Sequence, residues 1–388
     1  MKILIANKFY YRRGGDCIYT MNLEQLLKNH GHDISVFSMD YEENIDSPWK
    51  KYFPSNMSKL KSFTRPFGDS EVKAKFSQIL KDFKPDVVHL NNIHTQLSPV
   101  IAEIAHRNGI RVVWTLHDSK LVCPCYTCQR DGKWCEECFT DKTAVIKHKC
   151  MPGSILGAII GYLEQKKWNK DRLERCTDLF LPPSQFMADV CIKGGYSKEK
   201  FKVLCNFIDI KKVQTPSFQK DDYYCFLGRV TRVKGIRTLC KAAVQLPYKL
   251  VVVGDGDLEE ELRSSYSSNK NIEFLGKKDW NELRPLIEGA KFMVLPSEWS
   301  ENNPLTIIES QSLGTPVLGA RIGGIPELIE EGVSGMTFAS GDLENLKDKI
   351  KAMWNAEFDY IKLAHDAVER YSSEAYYEKL MKIYKNEK

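Results

Sequence analysis

Along the chain, short apolar runs ending in Gly, Asn, Asp or Ser alternate with amphipathic stretches, the pattern of buried parallel strands joined by helices. Strands are predicted near 2–7, 33–38, 86–90, 111–116 and 178–181, and a second series near 223–228, 249–254, 271–275, 291–295 and 315–319. Apolar residues at helical spacing fill the gaps, for instance over 17–30 and 71–82. The fold class is therefore α/β, with two Rossmann-like halves. Residues 206–222, "NFIDIKKVQTPSFQKDD", are polar and aperiodic and read as an interdomain linker. In the tail, Tyr376, Leu380 and Tyr384 recur at helical spacing, so a terminal helix packs on something. The boundaries are 1–205 for a first domain with a Cys-rich insert at 123–150, 206–222 for the linker, 223–355 for a second domain, and 356–388 for terminal helices.

Length agrees with this division, since 388 residues exceed one ordinary core and suit two domains of roughly 150 to 200 residues. With 43% hydrophobic and 28% charged residues and no low-complexity tract, the chain is expected to be ordered. The opening "MKILIANKF" has none of the features of a secretory signal, which predicts a cytoplasmic protein. The longest apolar run, "SILGAIIGYL" at 154–163, is about half the roughly 20 residues needed to span a bilayer. Net charge is only +5, but Lys and Arg gather in "KLKSFTR", "DKTAVIKHK" and "EQKKWNKDRLERC". Such runs are plain solvated faces or contacts for an anionic membrane surface or a pyrophosphate-linked acceptor. No nucleic-acid partner is expected.

In open parallel sheets ligands bind at the carboxyl ends of the strands, so the segments that follow strands hold the candidate chemistry. After the first strand, "FYYRRGGDCIY" places Gly14 and Gly15 ahead of a helix, with Asp16 as a candidate cap. The next strand ends contribute His89, Asn92, His94, His117 and Asp118, and His117 is the favoured substrate contact. In the second half, "FLGRVTRVKGIRTL" presents Arg229 and Lys234, two cations suited to a diphosphate beside a helix N-terminus. "VVVGDGDLEEEL" reads mainly as a turn and an acidic first helical turn, with Gly254 open to a nucleotide base. Finally, "PSEWSENNPLTIIESQSLGTPVLGARIGGIPELI" carries Glu301 on a loop, Pro304 at a helix start and Glu309 eight residues after Glu301. Glu309 can accept hydrogen bonds from adjacent ribose hydroxyls, and backbone N–H groups around Asn303 and Leu305 can meet phosphate or sugar.

At these residues the chain resembles glycosyltransferase family 4, retaining, nucleotide-sugar-dependent enzymes of the GT-B fold. "ENNPLTIIE", "GRVTRVKG", the Gly14-Gly15 loop and "RIGGIPELI" stand in the family's order over nearly the whole chain. The resemblance implies two Rossmann-like domains facing each other across a cleft, with the terminal helix crossing back to the first. It implies Arg229 and Lys234 on the donor diphosphate and Glu309 on the ribose. Glu301 and the loop Asn302, Asn303, Pro304 and Leu305, through its amide N–H groups, belong to the donor sugar and phosphate, and His117 to the transferred sugar. Positioned cations and helix N-termini stabilise a departing nucleoside diphosphate without a metal, so no catalytic cofactor is expected.

The insert "CPCYTCQRDGKWCEEC", with Cys150 beyond it, contains two Cys-x2-Cys pairs that can bind zinc or another metal, while buried free thiols and a redox switch are the other readings. Cys-rich inserts at this place in the family imply Cys123, Cys135, Cys138 and Cys150 as ligands of a structural zinc. The resulting expectation is an enzyme moving a sugar from a nucleoside-diphosphate sugar to a glycan, specifically a lipid-linked intermediate of surface polysaccharide such as capsule or lipopolysaccharide. A non-hydrolysing nucleotide-sugar epimerase and a sugar-nucleotide binding protein without turnover are the alternatives.

Overall fold

Most strands of both series are apolar and buried on both sides, which demands helices on each face and a parallel order, and the edge strand Ile272–Gly276 is the more exposed exception. The computed structural model describes residues 1–387 except 57, 59, 60, 152 and 153, so Lys59 and Leu60 of the first basic run lie outside the described residues. The chain divides into two units, Met1–Leu204 with Tyr377–Lys388, and Cys205–Tyr376.

In the first unit, β1 (Lys2–Ala6), β2 (Asp33–Phe37), β3 (Val87–Leu90), β4 (Arg111–Thr115) and β7 (Leu179–Leu181) form an all-parallel sheet in the order β2-β1-β3-β4-β7. The helices cover it with one apolar face each. Helix Ser70–Phe83 buries Val72, Phe76, Ile79, Leu80 and Phe83, and Asp69 caps it by accepting from the Val72 N–H at 3.0 Å. Two further strands, β5 (Gln129–Arg130) and β6 (Lys133–Trp134), make a separate antiparallel hairpin in the Cys-rich insert.

In the second unit, β8 (Tyr223–Leu227), β9 (Lys249–Val253), β10 (Ile272–Gly276), β11 (Met293–Leu295), β12 (Val317–Ala320) and β13 (Gly335–Phe338) run parallel in the order β10-β9-β8-β11-β12-β13. Ten strands fall where the pattern placed them, and β13 extends the second sheet by one.

The segment read as a linker is part of the second unit, where Ile208 pairs with Ser372 and Ile210–Lys212 forms a short turn of helix. The terminal residues split. Helix Tyr360–Tyr371 packs on helix Leu305–Ser312 within the second unit. The first unit takes the chain from Tyr377, whose ring stacks on His30 at 3.6 Å, and Tyr384 bonds to His89 at 2.5 Å.

Candidate active site

Each sheet reverses its strand order once, between β1 and β3 in the first unit and between β8 and β11 in the second. Loops diverge at such a point and leave a crevice at the carboxyl ends. Both sets of candidate residues lie there.

In the second unit the loop after β8 carries Arg229, Lys234 and a 3-10 turn at Arg232–Lys234, and the loop after β11 carries Glu298 and Glu301. These two loops are bolted together. The Glu298 N–H donates to the Val233 carbonyl at 3.0 Å, and its carboxylate accepts from the Thr238 hydroxyl at 2.5 Å. Lys234 Nζ then meets Glu301 Oε1 at 2.5 Å, and Ser297 Oγ donates to the same oxygen at 2.9 Å. Both partners of this ion pair are mostly buried. Arg229 is exposed and its side chain has no ion pair among the described residues.

The "RIGGIPELI" turn explains its own glycines. The Gly324 N–H donates to the Glu301 carbonyl at 2.8 Å, and Gly323 has φ +60°, with a Cβ there falling 2.2 Å from the same oxygen. Only a bare backbone lets this turn press against Glu301 and fix its height. Gly254 has an equally local reason: at φ +138° its Cβ would lie 1.9 Å from the Gly228 carbonyl, so its missing side chain serves the neighbouring loop.

Pro304 is the N-cap of helix Leu305–Ser312, with no side-chain cap on its first turn. Asn303 is buried, and its side chain holds the start of the unit by accepting from the Asn206 N–H at 3.1 Å, while Asn206 Nδ2 donates to the Asn303 carbonyl at 2.8 Å. Asn302 and Leu305 flank it, half-buried. On the helix, Glu309 is half-buried with no hydrogen bond or ion pair to its carboxylate among the described residues. Burial raises its pKa, and Lys212 opposes the shift from a distance. An acceptor group partly withdrawn from water and without a donor is prepared for one from outside.

In the first unit Gly14 is the N-cap of helix Gly15–Asn29, in extended conformation and without a side-chain cap. Asp16 is therefore not the cap; it lies in the first turn and accepts from Asn92 Nδ2 at 3.2 Å. A Cβ on Gly15 would meet nothing within 4 Å, so this helix start opens on free space.

His117 lies half-buried beyond β4 with its Nε2–H donating to Asn91 Oδ1 at 3.0 Å and the Tyr19 ring edge-on at 5.0 Å. Burial, aided by Lys8 and resisted by Asp16, lowers its pKa to about 4, so the ring is neutral at pH 7 and Nδ1 is left as an acceptor. Asn91, Asn92, His94, Asp118 and Lys120 line the same small cavity. Asp118 is raised by burial, and Lys8 is lowered by it. His89, by contrast, is fully enclosed behind the strand end, bonded to Tyr384 and to Thr115 Oγ1 at 2.8 Å.

Sequence reading did not single out Asn91, Lys8 or the buried pair of Lys120 with Glu164 at 2.9 Å. Asn91 stands beside the chosen Asn92 at a strand end and was within reach. Glu164 follows an apolar run, and nothing local marks its partner. Among the described residues no three cysteine sulfurs lie within 4.8 Å of one another, so the set Cys123, Cys135, Cys138 and Cys150 is not gathered for a metal; Cys123 Sγ lies 3.3 Å from Cys125 Sγ instead.

Two units, each built on a parallel sheet with its polar groups at a strand-order reversal, have the GT-B fold. The chain belongs to glycosyltransferase family 4: residues 13–212 match the description Glycosyltransferase Family 4, and residues 207–387 match Glycosyl transferases group 1. An uncharacterized 42.6 kDa protein in the cps region of Klebsiella pneumoniae is 24% identical over 351 residues, covering 84% of this chain and 87% of that protein. Among solved structures, a lipopolysaccharide outer core galactosyltransferase aligns with TM-score 0.71 at 17% identity over 100% of both chains. Anabaena HepE, solved in complex with UDP, aligns with TM-score 0.67 at 17% identity, again over 100% of both chains.

Proposed function

We propose that this glycosyltransferase takes its sugar from a nucleoside diphosphate and delivers it, with anomeric configuration retained, to a lipid-linked glycan acceptor of surface polysaccharide assembly. The observation that carries the donor assignment is the charge arrangement of the second unit: Arg229 unpaired among the described residues, Lys234 balanced by Glu301, and Glu309 half-buried without a donor. An incoming diphosphate replaces Glu301 as counter-charge to Lys234 and engages Arg229 and the first turn at Leu305. That exchange frees Glu301 for the sugar hydroxyls, and the ribose hydroxyls donate to Glu309. Negative charge developing on the leaving diphosphate is met by cations already in place, the usual largest source of rate enhancement. HepE's complex with UDP supports the nucleotide part of this reading.

In the first unit the neutral His117, held by Asn91, accepts a hydrogen bond from the transferred sugar through Nδ1. For retention we infer return of the acceptor on the face that the diphosphate leaves, with the leaving phosphate taking the hydroxyl proton. No helix among the described residues is long and apolar enough to cross a membrane. Helix Ile155–Lys167 does expose Ile155 at 54%, Leu156 at 52%, Ile159 at 37% and Leu163 at 43%, with Lys166 and Lys167 at its end. Such a face supports peripheral contact with an anionic bilayer.

The test is release of nucleoside diphosphate from a panel of UDP-, GDP-, ADP- and dTDP-sugars, with and without a crude lipid-linked acceptor extract. Acceptor-dependent release from one donor, lost in Lys234→Ala and Glu309→Ala and indifferent to added Mg²⁺ or Mn²⁺, is the expected result. Failure of every donor to bind in calorimetry would end the proposal. A donor consumed without any acceptor, with an isomeric nucleotide sugar as product, would put the epimerase in its place.

A further inference from the structure

Four polar side chains are buried together on one face of the first sheet: His89, Thr115, Tyr19 and Tyr384, none more than 4% exposed, and the donor chemistry gives them no task. The strand register puts the first two there. His89 lies opposite Val113 across β3 and β4, so Thr115, two residues on, projects from the same face, while Leu90 and Trp114 enter the apolar core on the other. Helix Gly15–Asn29 supplies Tyr19, and helix Ser373–Lys385 supplies Tyr384. Polar groups so placed cost free energy unless each finds a partner.

The partners form one row of hydrogen bonds. Tyr384 Oη lies 2.5 Å from His89 Nδ1, His89 Nε2 lies 2.8 Å from Thr115 Oγ1, and Thr115 Oγ1 lies 3.3 Å from Tyr19 Oη. A neutral imidazole has one N–H and one bare nitrogen, so the row runs in a single direction. The Tyr384 hydroxyl has no other acceptor among the described residues and therefore donates to Nδ1. His89 then donates through Nε2–H to Thr115, which leaves the Thr115 O–H for Tyr19. At the far end the Tyr19 ring stands edge-on to His117, with 5.0 Å between centroids. The other contact that orients His117 is its bond to Asn91 Oδ1 at 3.0 Å. One hydrogen bond leaves an imidazole free to pivot about it, and the Tyr19 edge removes that freedom.

We propose that Tyr384 is a positioning residue for His117. Through His89 and Thr115 it fixes the Tyr19 ring, and the edge of that ring holds the imidazole plane in which Nδ1 points at the transferred sugar. No proton moves along the row; its members act by holding place. The inference rests on the reading of His117 as a contact of that sugar. It makes the last helix of the chain a working part of the first unit's site, since the hydroxyl that starts the row comes from there.

The experiment combines transfer kinetics of the full chain with nitrogen NMR of protein labelled at histidine, the His117 signals being assigned from their loss in His117→Gln. In the unmodified protein His117 should show one fixed tautomer, protonated at Nε2. Tyr384→Phe and Thr115→Val each remove one hydroxyl and keep the shape of the side chain. Both should draw the two His117 nitrogen shifts together and lower kcat about tenfold, with KM for the donor changed by less than about twofold. Thr115→Ser keeps the hydroxyl and should preserve both readouts. Arg111→Gln is the control for a loosened terminal helix: it loses the bond to the Ile383 carbonyl at 3.1 Å and should melt lower with the His117 shifts and kcat unchanged. His117 shifts unmoved in Tyr384→Phe and Thr115→Val would overturn the proposal, as would a loss of kcat in Arg111→Gln equal to that in Tyr384→Phe. Shifts that move while kcat stays would uphold the positioning and overturn instead the reading of His117 as the sugar contact, so the two fail separately.

Discussion

Lys234, Glu301 and Glu309 are each set in a state that a donor would relieve. Lys234→Ala should lower transfer by about 10²- to 10³-fold, the scale for losing one transition-state charge partner, while the double variant Lys234→Ala/Glu301→Gln melts above the single one because no mostly buried carboxylate is left unpaired. Glu309 has the opposite stability sign. Burial raises its folded pKa above the unfolded value, so the ionised group costs stability that is regained as pH falls. Glu309→Gln should raise the melting temperature at pH 7 by about 2 °C and abolish donor binding, which paired calorimetry and thermal melts would check. The histidines act in the other direction again. Burial holds His89 near 3 and His117 near 4, and His94 well below its ordinary range, so their contribution is complete above pH 6.5 and is lost as pH drops towards 4 and below. Asp118, raised by burial, opposes part of that loss. Urea unfolding of the first unit at pH 7 and pH 5 should show the decline, and His89→Gln should shrink the difference between the two. At this scale the sequence was legible where function is written contiguously, as in Glu301 to Glu309. It was silent where a partner lies far along the chain, as for Lys120 and Glu164.

Strands and helices were legible because burial on two faces leaves apolar runs that few other structures tolerate, and all ten predicted strands formed within about two residues of their places. β13 escaped because "GMTF" is four residues headed by a glycine, whose packing against the Val317 carbonyl no local pattern reveals. The β5–β6 hairpin escaped because strands of two residues have no period. Helix starts were harder: Asp16 follows the cap it was expected to be, and the true cap, Gly14, contributes no side chain. The vacancy at that helix start makes a sharp prediction. With an ordinary φ and nothing within 4 Å of a new Cβ, Gly15→Ala should stabilise the protein by up to about 1 kcal/mol through helix propensity. If a ligand approaches the bare backbone there, the same change raises KM or lowers kcat. Full activity with a higher melting temperature would remove Gly14 and Gly15 from the ligand contacts.

The whole molecule is two cores with separate buried clusters, so a single unfolding free energy does not describe it. Calorimetric melts should resolve two transitions or one broad one, and a bound nucleotide sugar should move the one belonging to Cys205–Tyr376. The exposed apolar face of helix Ile155–Lys167 belongs to the same scale: flotation with anionic vesicles should carry the protein up, and Ile155→Glu with Leu156→Glu should leave it in solution with its far-UV circular dichroism unchanged. The first unit also has a history written into it. Its sheet is built from residues before Leu204, yet Tyr384 closes over His89, and Arg111 donates to the Ile383 carbonyl at 3.1 Å. On the ribosome, at about 5–20 residues per second, that sheet must wait unfinished while the entire second unit emerges, and only the segment from Tyr377 onward completes it. A nonsense codon or a proteolytic nick near residue 376 would therefore damage the opposite end of the sequence from the one it removes.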